Sequence, residues 1–270
     1  MVAHATVFVD TGGRPTQIER PTLVFVHGAL QDHACWLLQS RWFAHHGYNV
    51  IAPDLPGHGR SAGPPLVDAT AAADWLMQLV GEHTESDIAL IGHSMGSLIA
   101  LAAAARNPQR VRALALIGTA YPMQVSEALR TTARTHAAQA IGLVNRWSHF
   151  RGHFGGSALP GLWLYGLNQR LMERAEMGVL AVDLDVCHNY CGDDALSALV
   201  EARTPTLIIA GQRDQMTPAR SARALARRIP DVRYVELEGI GHALMTEAPD
   251  SVLNTLRDFL NAALPPGFGA

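Results

Sequence analysis

The sequence predicts an α/β domain: a mostly parallel sheet with helices on both faces and an inserted helical segment. Three observations carry that expectation. Short, continuous apolar runs (TLVFV at 22–26, IALI at 88–91, TLIIA at 206–210) alternate with amphipathic helical stretches, the pattern of strands buried on both faces. One of these runs passes through Gly92-His93-Ser94-Met95-Gly96 straight into an apolar helical stretch, so the strand and helix are joined by a very tight turn. Between Thr119 and Thr204, about 85 residues look helical and carry no strong strand, which is too long for a loop. The expected division is a core of 1–119 and 204–270 with a helical cap, or lid, at 120–203.

The elements follow in order. Strand 22–26 is rich in β-favouring residues and stops at His27-Gly28. A helix over 32–46 closes at Gly47, and a strand over 48–52 ends at Pro53. The helix over 68–82 places Trp75, Leu76, Leu79 and Val80 on one face. Strand 88–91 and helix 95–106 flank the tight turn, and the helix stops at Asn107-Pro108. Strand 111–117 precedes the insertion. After it come strand 206–210, a helix over 218–228 with Pro218 early, strand 233–237 and a final helix over 248–263.

Composition excludes several classes. The 270 residues are 48% hydrophobic and 17% charged, with a formal net charge of −3 and no basic tract, so neither nucleic acid nor an anionic membrane is the expected partner. All 21 cationic residues are Arg. Without Lys there is no Schiff-base nucleophile, no pyridoxal phosphate attachment and no ordinary P-loop. Three cysteines, Cys35, Cys187 and Cys191, with no evident secretion signal, fit a reducing, cytoplasmic setting. Cys187, His188 and Cys191 cluster but lack a fourth ligand, so no metal is expected. The run 88–105 contains no Asp, Glu or Arg and a Gly92-x-x-x-Gly96 pattern, yet it barely reaches spanning length and holds His93, Ser94 and Ser97 at its centre. Strand, turn and buried helix is the better division.

The chemistry centres on Ser94. A strand-to-helix turn of this kind strains the serine backbone, exposes its hydroxyl above the sheet and aims helix N–H groups at developing negative charge. A serine hydroxyl needs a base, and His242, in Gly239-Ile240-Gly241-His242 after strand 233–237, is the candidate. The base needs a carboxylate to hold its tautomer, and Asp214, just past strand 206–210, is the candidate. All three lie at the C-terminal ends of strands, where open α/β sheets place their sites. Two backbone donors are needed for the oxyanion: Met95 N–H is one, and Ala29 N–H the other, with Leu30 its nearest rival. Asp183 and Asp185 are rival acids within the insertion. Asp214 could also serve as a turn cap before Pro218, and Ser94 as an ordinary helix cap. His93, Asp54 and His58 read as structural. His149 and His153 are four apart, but Gly152 weakens a helix there, so a metal pair is not expected.

These motifs together resemble the α/β-hydrolase fold superfamily, in its serine-hydrolase, esterase-like branch. The motifs are His27-Gly28, Asp54-Leu55-Pro56-Gly57-His58-Gly59-Arg60-Ser61, the turn at Ser94, the acid at Asp214 and the base at His242. The resemblance implies an eight-stranded, mostly parallel sheet, a cap after the sixth strand, and no cofactor or metal. Ser94 stands where haloalkane dehalogenases and related epoxide hydrolases carry Asp. His27-Gly28-Ala29-Leu30 has fewer glycines than HGGG-type lipases, and Ala243 stands where ring-fission C–C hydrolases often carry Trp. The function expected is hydrolysis of a carboxylic ester or similar acyl bond of a small molecule through an acyl-enzyme. A C–C bond hydrolase, or a cofactor-free perhydrolase or haloperoxidase, on the same triad is the alternative, and a non-catalytic small-ligand binder is the reading from another class. The partner implied is the small acyl substrate, with self-association into a homo-oligomer the further option.

Overall fold

The computed structural model describes residues 6–150 and 163–266. Its strands are β1 (Val9–Asp10), β2 (Thr22–Val26), β3 (Asn49–Pro53), β4 (Ile88–His93), β5 (Val111–Ile117), β6 (Thr206–Gly211) and β7 (Arg233–Leu237). They form one sheet in the order β1-β3-β2-β4-β5-β6-β7, with every neighbouring pair parallel except β1 on β3. Among the described residues the sheet therefore has seven strands, one fewer than expected. The two-residue β1 was not foreseen, because so short a strand leaves no alternation to read.

The strands are buried on both sides because α2 (Ala69–His83) and α3 (Met95–Arg106) cover one face while α1 (Leu37–Ala44) and α11 (Pro249–Ala263) cover the other. Successive strand residues divide between two cores accordingly. Val24, Leu90, Leu114 and Ile208 join α3, whereas Phe25, Ile91, Ala115 and Ile209 join Phe43 of α1 and Leu256 of α11. Asp68 opens α2 by accepting the Ala71 N–H at 2.7 Å, and Pro249 begins α11 where its missing N–H costs nothing. The helix expected over 32–46 is divided. Asp32 accepts the Ala34 N–H and starts a 3-10 turn, His33–Trp36, before α1 begins. The run at 88–105 is the strand β4, a turn and α3, and no helix among the described residues is long and apolar enough to cross a membrane.

Between β5 and β6 lie α4 (Glu127–Thr135), α5 (Ala137–Ser148), α6 (Leu164–Met172), α7 (Val179–Asn189) and α8 (Asp193–Ala202). Leu129, Ala140, Val144, Met172, Leu180 and Leu184 form a small core of their own with Leu30, from the loop after β2. Leu196 and Leu199 of α8 instead join the core on the α3 face. The helical stretch is thus tied to the sheet at two places.

Candidate active site

Strands β2, β4, β6 and β7 all end on the same edge of the sheet, so the loops after them meet there. The sharpest turn follows β4. Ser94 has φ 53° and ψ −121°, a conformation that costs a residue with a Cβ about 1–3 kcal/mol. Its surroundings hold it there. Ser94 N–H donates to the Ile117 carbonyl at 3.0 Å, and the Ser94 carbonyl accepts from Ser97 N–H at 2.8 Å and Ser97 Oγ at 2.6 Å. A methyl on Gly92 would fall on the Gly96 carbonyl, and one on Gly96 on the Val26 and His27 carbonyls. Both positions therefore need glycine for backbone to pass backbone. The Ser94 side chain caps nothing in α3, which leaves its hydroxyl for the cavity it lines.

The loops after β6 and β7 bring a carboxylate to an imidazole. His242 Nδ1–H donates to Asp214 Oδ2 at 2.7 Å, both groups being buried. Asp214 Oδ1 also accepts Met216 N–H and Thr217 N–H, each at 2.8 Å, and Oδ2 accepts the Thr217 hydroxyl at 2.7 Å. Asp214 is thus a turn cap and the imidazole's partner at once, since one oxygen serves each role. A carboxylate can only accept, so Nδ1 of His242 carries a proton, and in the neutral imidazole the lone pair is then on Nε2. His242 and Ser94 line the same cavity without a direct hydrogen bond between them; catalytic bonds of this kind often tighten only on substrate.

The two candidate oxyanion donors are unspent. Neither Ala29 N–H nor Met95 N–H has a partner among the described residues, and Ala29 lines the cavity. The rival, Leu30 N–H, donates to Asp183 Oδ2 at 2.8 Å and is unavailable. The two rival acids are occupied elsewhere: Asp183 by Leu30 and His58, and Asp185 by Arg130 and Arg134 at 2.8 and 2.6 Å.

The cavity has a volume of about 460 Å³ and opens between the sheet edge and the helices that follow β5. Aliphatic and sulfur-bearing side chains make up much of its wall, with Leu164, Leu167 and Leu171 of α6, Leu184 of α7, Met123 and Met216, and beside Ser94 and His242 it also carries polar side chains, Gln31, Gln124, Asn168, Arg170 and Arg174 among them. Among the described residues no Phe, Trp or Tyr lines it. Trp36 is a core residue under Phe25, and Trp163 is exposed.

Sequence reasoning missed two contributors. Thr217 bonds Asp214 and lies 3.2 Å from His242 Nδ1; the spacing Asp214-x-x-Thr217 before Pro218, a turn signal, pointed to it. His93 donates Nε2–H to the His242 carbonyl at 2.9 Å, and its ring lies 4.7 Å from the His242 ring. Burial and the neighbouring His242 lower the pKa of His93 to about 3, so it is neutral. No local signal foretold this, because the partner is far along the chain. His188 Nδ1 accepts the Val125 N–H at 3.2 Å, Cys187 is buried and Cys191 is exposed, and the three do not bring their ligand atoms together. Asp32, His33 and Asp54 do lie together, but their atoms are engaged. Asp54 accepts His33 N–H, His33 Nδ1–H and Arg60 N–H, and Asp32 caps its own turn. His153, paired with His149 in the sequence, lies outside the described residues.

Known proteins share this fold. A family described as alpha/beta hydrolase fold matches residues 21–249. A pimeloyl-[acyl-carrier protein] methyl ester esterase of Xanthomonas campestris pv. campestris is 34% identical over 262 residues, covering 91% of this chain and 96% of that one. Among solved structures, an esterase from Exiguobacterium antarcticum has a TM-score of 0.81 at 20% identity, covering 96% of this chain and 97% of that one. A bromoperoxidase from Bacillus anthracis has a TM-score of 0.80 at 20% identity, with the same coverage, 96% and 97%. At these identities the structural likenesses speak to fold alone, whereas the family match and the Xanthomonas relative extend over most of the chain.

Proposed function

The chain belongs to the alpha/beta hydrolase fold family and is a hydrolase, and we propose that it cleaves a carboxylic ester of a small acyl compound through Ser94, His242 and Asp214. The observation that carries this reading is the 2.7 Å bond from His242 Nδ1–H to Asp214 Oδ2, in a cavity that His242 shares with a strained Ser94. A relative named for cleaving a methyl ester supports an ester as the bond cut.

In the proposed reaction, Ser94 Oγ attacks the ester carbonyl carbon as His242 Nε2 takes the hydroxyl proton. Asp214 stabilises the imidazolium that forms. The carbonyl oxygen, now carrying the negative charge, accepts the N–H groups of Ala29 and Met95. His242 returns the proton to the leaving alcohol as the C–O bond breaks, which leaves an acyl group on Ser94. Water, deprotonated by His242, then releases the acid and restores the hydroxyl. No cofactor or metal enters any of these steps. The segment 120–203 acts as the cap, because its helices α5, α6 and α7 supply much of the cavity wall. The aliphatic lining suits an apolar acyl or alkyl group of modest size.

The test is turnover of a p-nitrophenyl ester series by the protein and by Ser94→Ala, with fluorophosphonate labelling in parallel. Loss of both turnover and labelling in Ser94→Ala, with an unchanged melting temperature, is expected. Full esterase activity in that variant would overturn the reading.

A further inference from the structure

One buried pair of ionisable side chains takes no part in the reaction above. His58, in the loop after β3, places Nε2 2.9 Å from Asp183 Oδ2, on α7; both side chains are almost wholly buried. His58 Nδ1 lies 3.0 Å from the Pro56 carbonyl. A carbonyl oxygen has no proton to give and a carboxylate has none either, so both ring nitrogens are donors. That requires an imidazolium facing a carboxylate. The same oxygen, Asp183 Oδ2, accepts Leu30 N–H at 2.8 Å.

This last bond bears on the loop that presents Ala29. Leu30 sits at φ 53°, a conformation an L residue rarely adopts without support. The rest of the loop is tied from the other side. The Gly28 carbonyl accepts His27 Nδ1–H at 2.9 Å and Gln31 N–H at 3.1 Å, while His27 Nε2 accepts Leu55 N–H at 3.0 Å. His27 is therefore the neutral tautomer, and its ring lies 5.0 Å from that of His58. The Gly28 carbonyl before Ala29 and the Leu30 N–H after it are thus both engaged, while Ala29 N–H has no partner among the described residues.

We propose that His58 and Asp183 form a buried imidazolium–carboxylate pair that positions the oxyanion loop, by holding Leu30 N–H so that Ala29 N–H faces the substrate carbonyl. The inference rests on the reading of Ser94 as nucleophile. Both residues act through Leu30 and touch no reacting atom, so they are positioning residues. Because Asp183 stands on α7 and Leu30 on the sheet edge, the pair also makes the oxyanion loop depend on how the helices after β5 are seated. The charge is consistent with its setting. Burial by itself lowers the pKa of His58, but the Asp183 charge, the hydrogen bond to it and the bond to Pro56 raise it above the ordinary value.

Asp183→Asn tests the pair in the full-length protein. It keeps the shape and removes the charge. The expected result is a fall in kcat of about ten- to a hundredfold with KM within about twofold, less than outright loss of an oxyanion donor because Ala29 N–H is misplaced and not deleted. A trifluoromethyl ketone, whose serine adduct carries the oxyanion, should lose affinity by the same factor, whereas the matching methyl ketone should not. His58→Gln, which retains one donor toward Asp183, should keep more activity than His58→Ala. Ordinary trifluoromethyl ketone affinity in a folded Asp183→Asn protein would overturn the proposal, as would a change in KM alone. A second measurement needs no variant: nitrogen NMR of 15N-histidine-labelled protein at pH 7 should show two ring N–H groups on His58, and a single one would overturn it. Hydrolysis that persists in Ser94→Ala would instead bring down the nucleophile reading, so the two failures are told apart.

Discussion

His93 Nε2–H donates to the main-chain carbonyl of His242 at 2.9 Å, across 149 residues of chain. The residue before the proposed nucleophile therefore anchors the backbone of the proposed base. The strain at Ser94 and the placement of His242 are fixed by one rigid turn, with Gly118 giving the His242 ring the room it needs: a Cβ there would lie 3.2 Å from the ring.

His93→Phe should keep an aromatic ring at this position and lose the donor. An unpaired buried carbonyl costs about 1–3 kcal/mol, and part of that should be spent in moving His242. The expected result is a fall in kcat of about tenfold with little change in KM, read by steady-state ester hydrolysis. An unaltered kcat would mean that the base is held by Asp214 and Thr217 alone.

Asp214→Asn separates the two duties of that side chain. The remaining oxygen can still accept Met216 and Thr217 N–H, so thermal stability should change little. The amide cannot hold His242 in the same tautomer or stabilise its cation, so kcat should fall by about 10⁴. A loss of less than about tenfold would point to another acid.

Gly96→Ala should act on stability. The added methyl meets main-chain carbonyls of Val26 and His27, which cannot swing aside as a flexible side chain would, so β2 and α3 must part. Overpacking of this kind costs about 1–3 kcal/mol or more, equivalent to a melting temperature lower by about 5 °C. Calorimetry checks it.

The fold should weaken in acid. Burial, followed by the nearby His58 charge, lowers the pKa of His27 to about 4, and burial with His242 lowers that of His93 to about 3. Below pH 6.5 the unfolded chain takes up protons that the folded chain refuses, so stability falls with pH until those lower values are reached. At pH 5 each residue accounts for about 2 kcal/mol of that loss. His58 has the opposite sign. Its raised pKa contributes stability that is present below pH 6.5 and is lost as pH rises through the folded value. Urea titration at pH 5, 7 and 9 measures both; equal stability at pH 5 and 7 would contradict the burial of neutral His27 and His93.

What the sequence by itself determined was local in origin. Mainly apolar runs of four to seven residues identified β2, β4, β5 and β6, and the glycines around Ser94 marked the turn, because hydrophobic period and backbone crowding act over a few residues. The strand ends then indicated Asp214 and His242, since parallel strands must finish on one edge. Tertiary structure alone decided the pairings. It gave Leu30 N–H to Asp183, made His58 half of a buried pair, and turned His93 onto His242. Hydrogen-bond partners separated by 125 to 153 residues leave no trace in spacing, because only the packing of helix on strand brings their atoms within three ångströms.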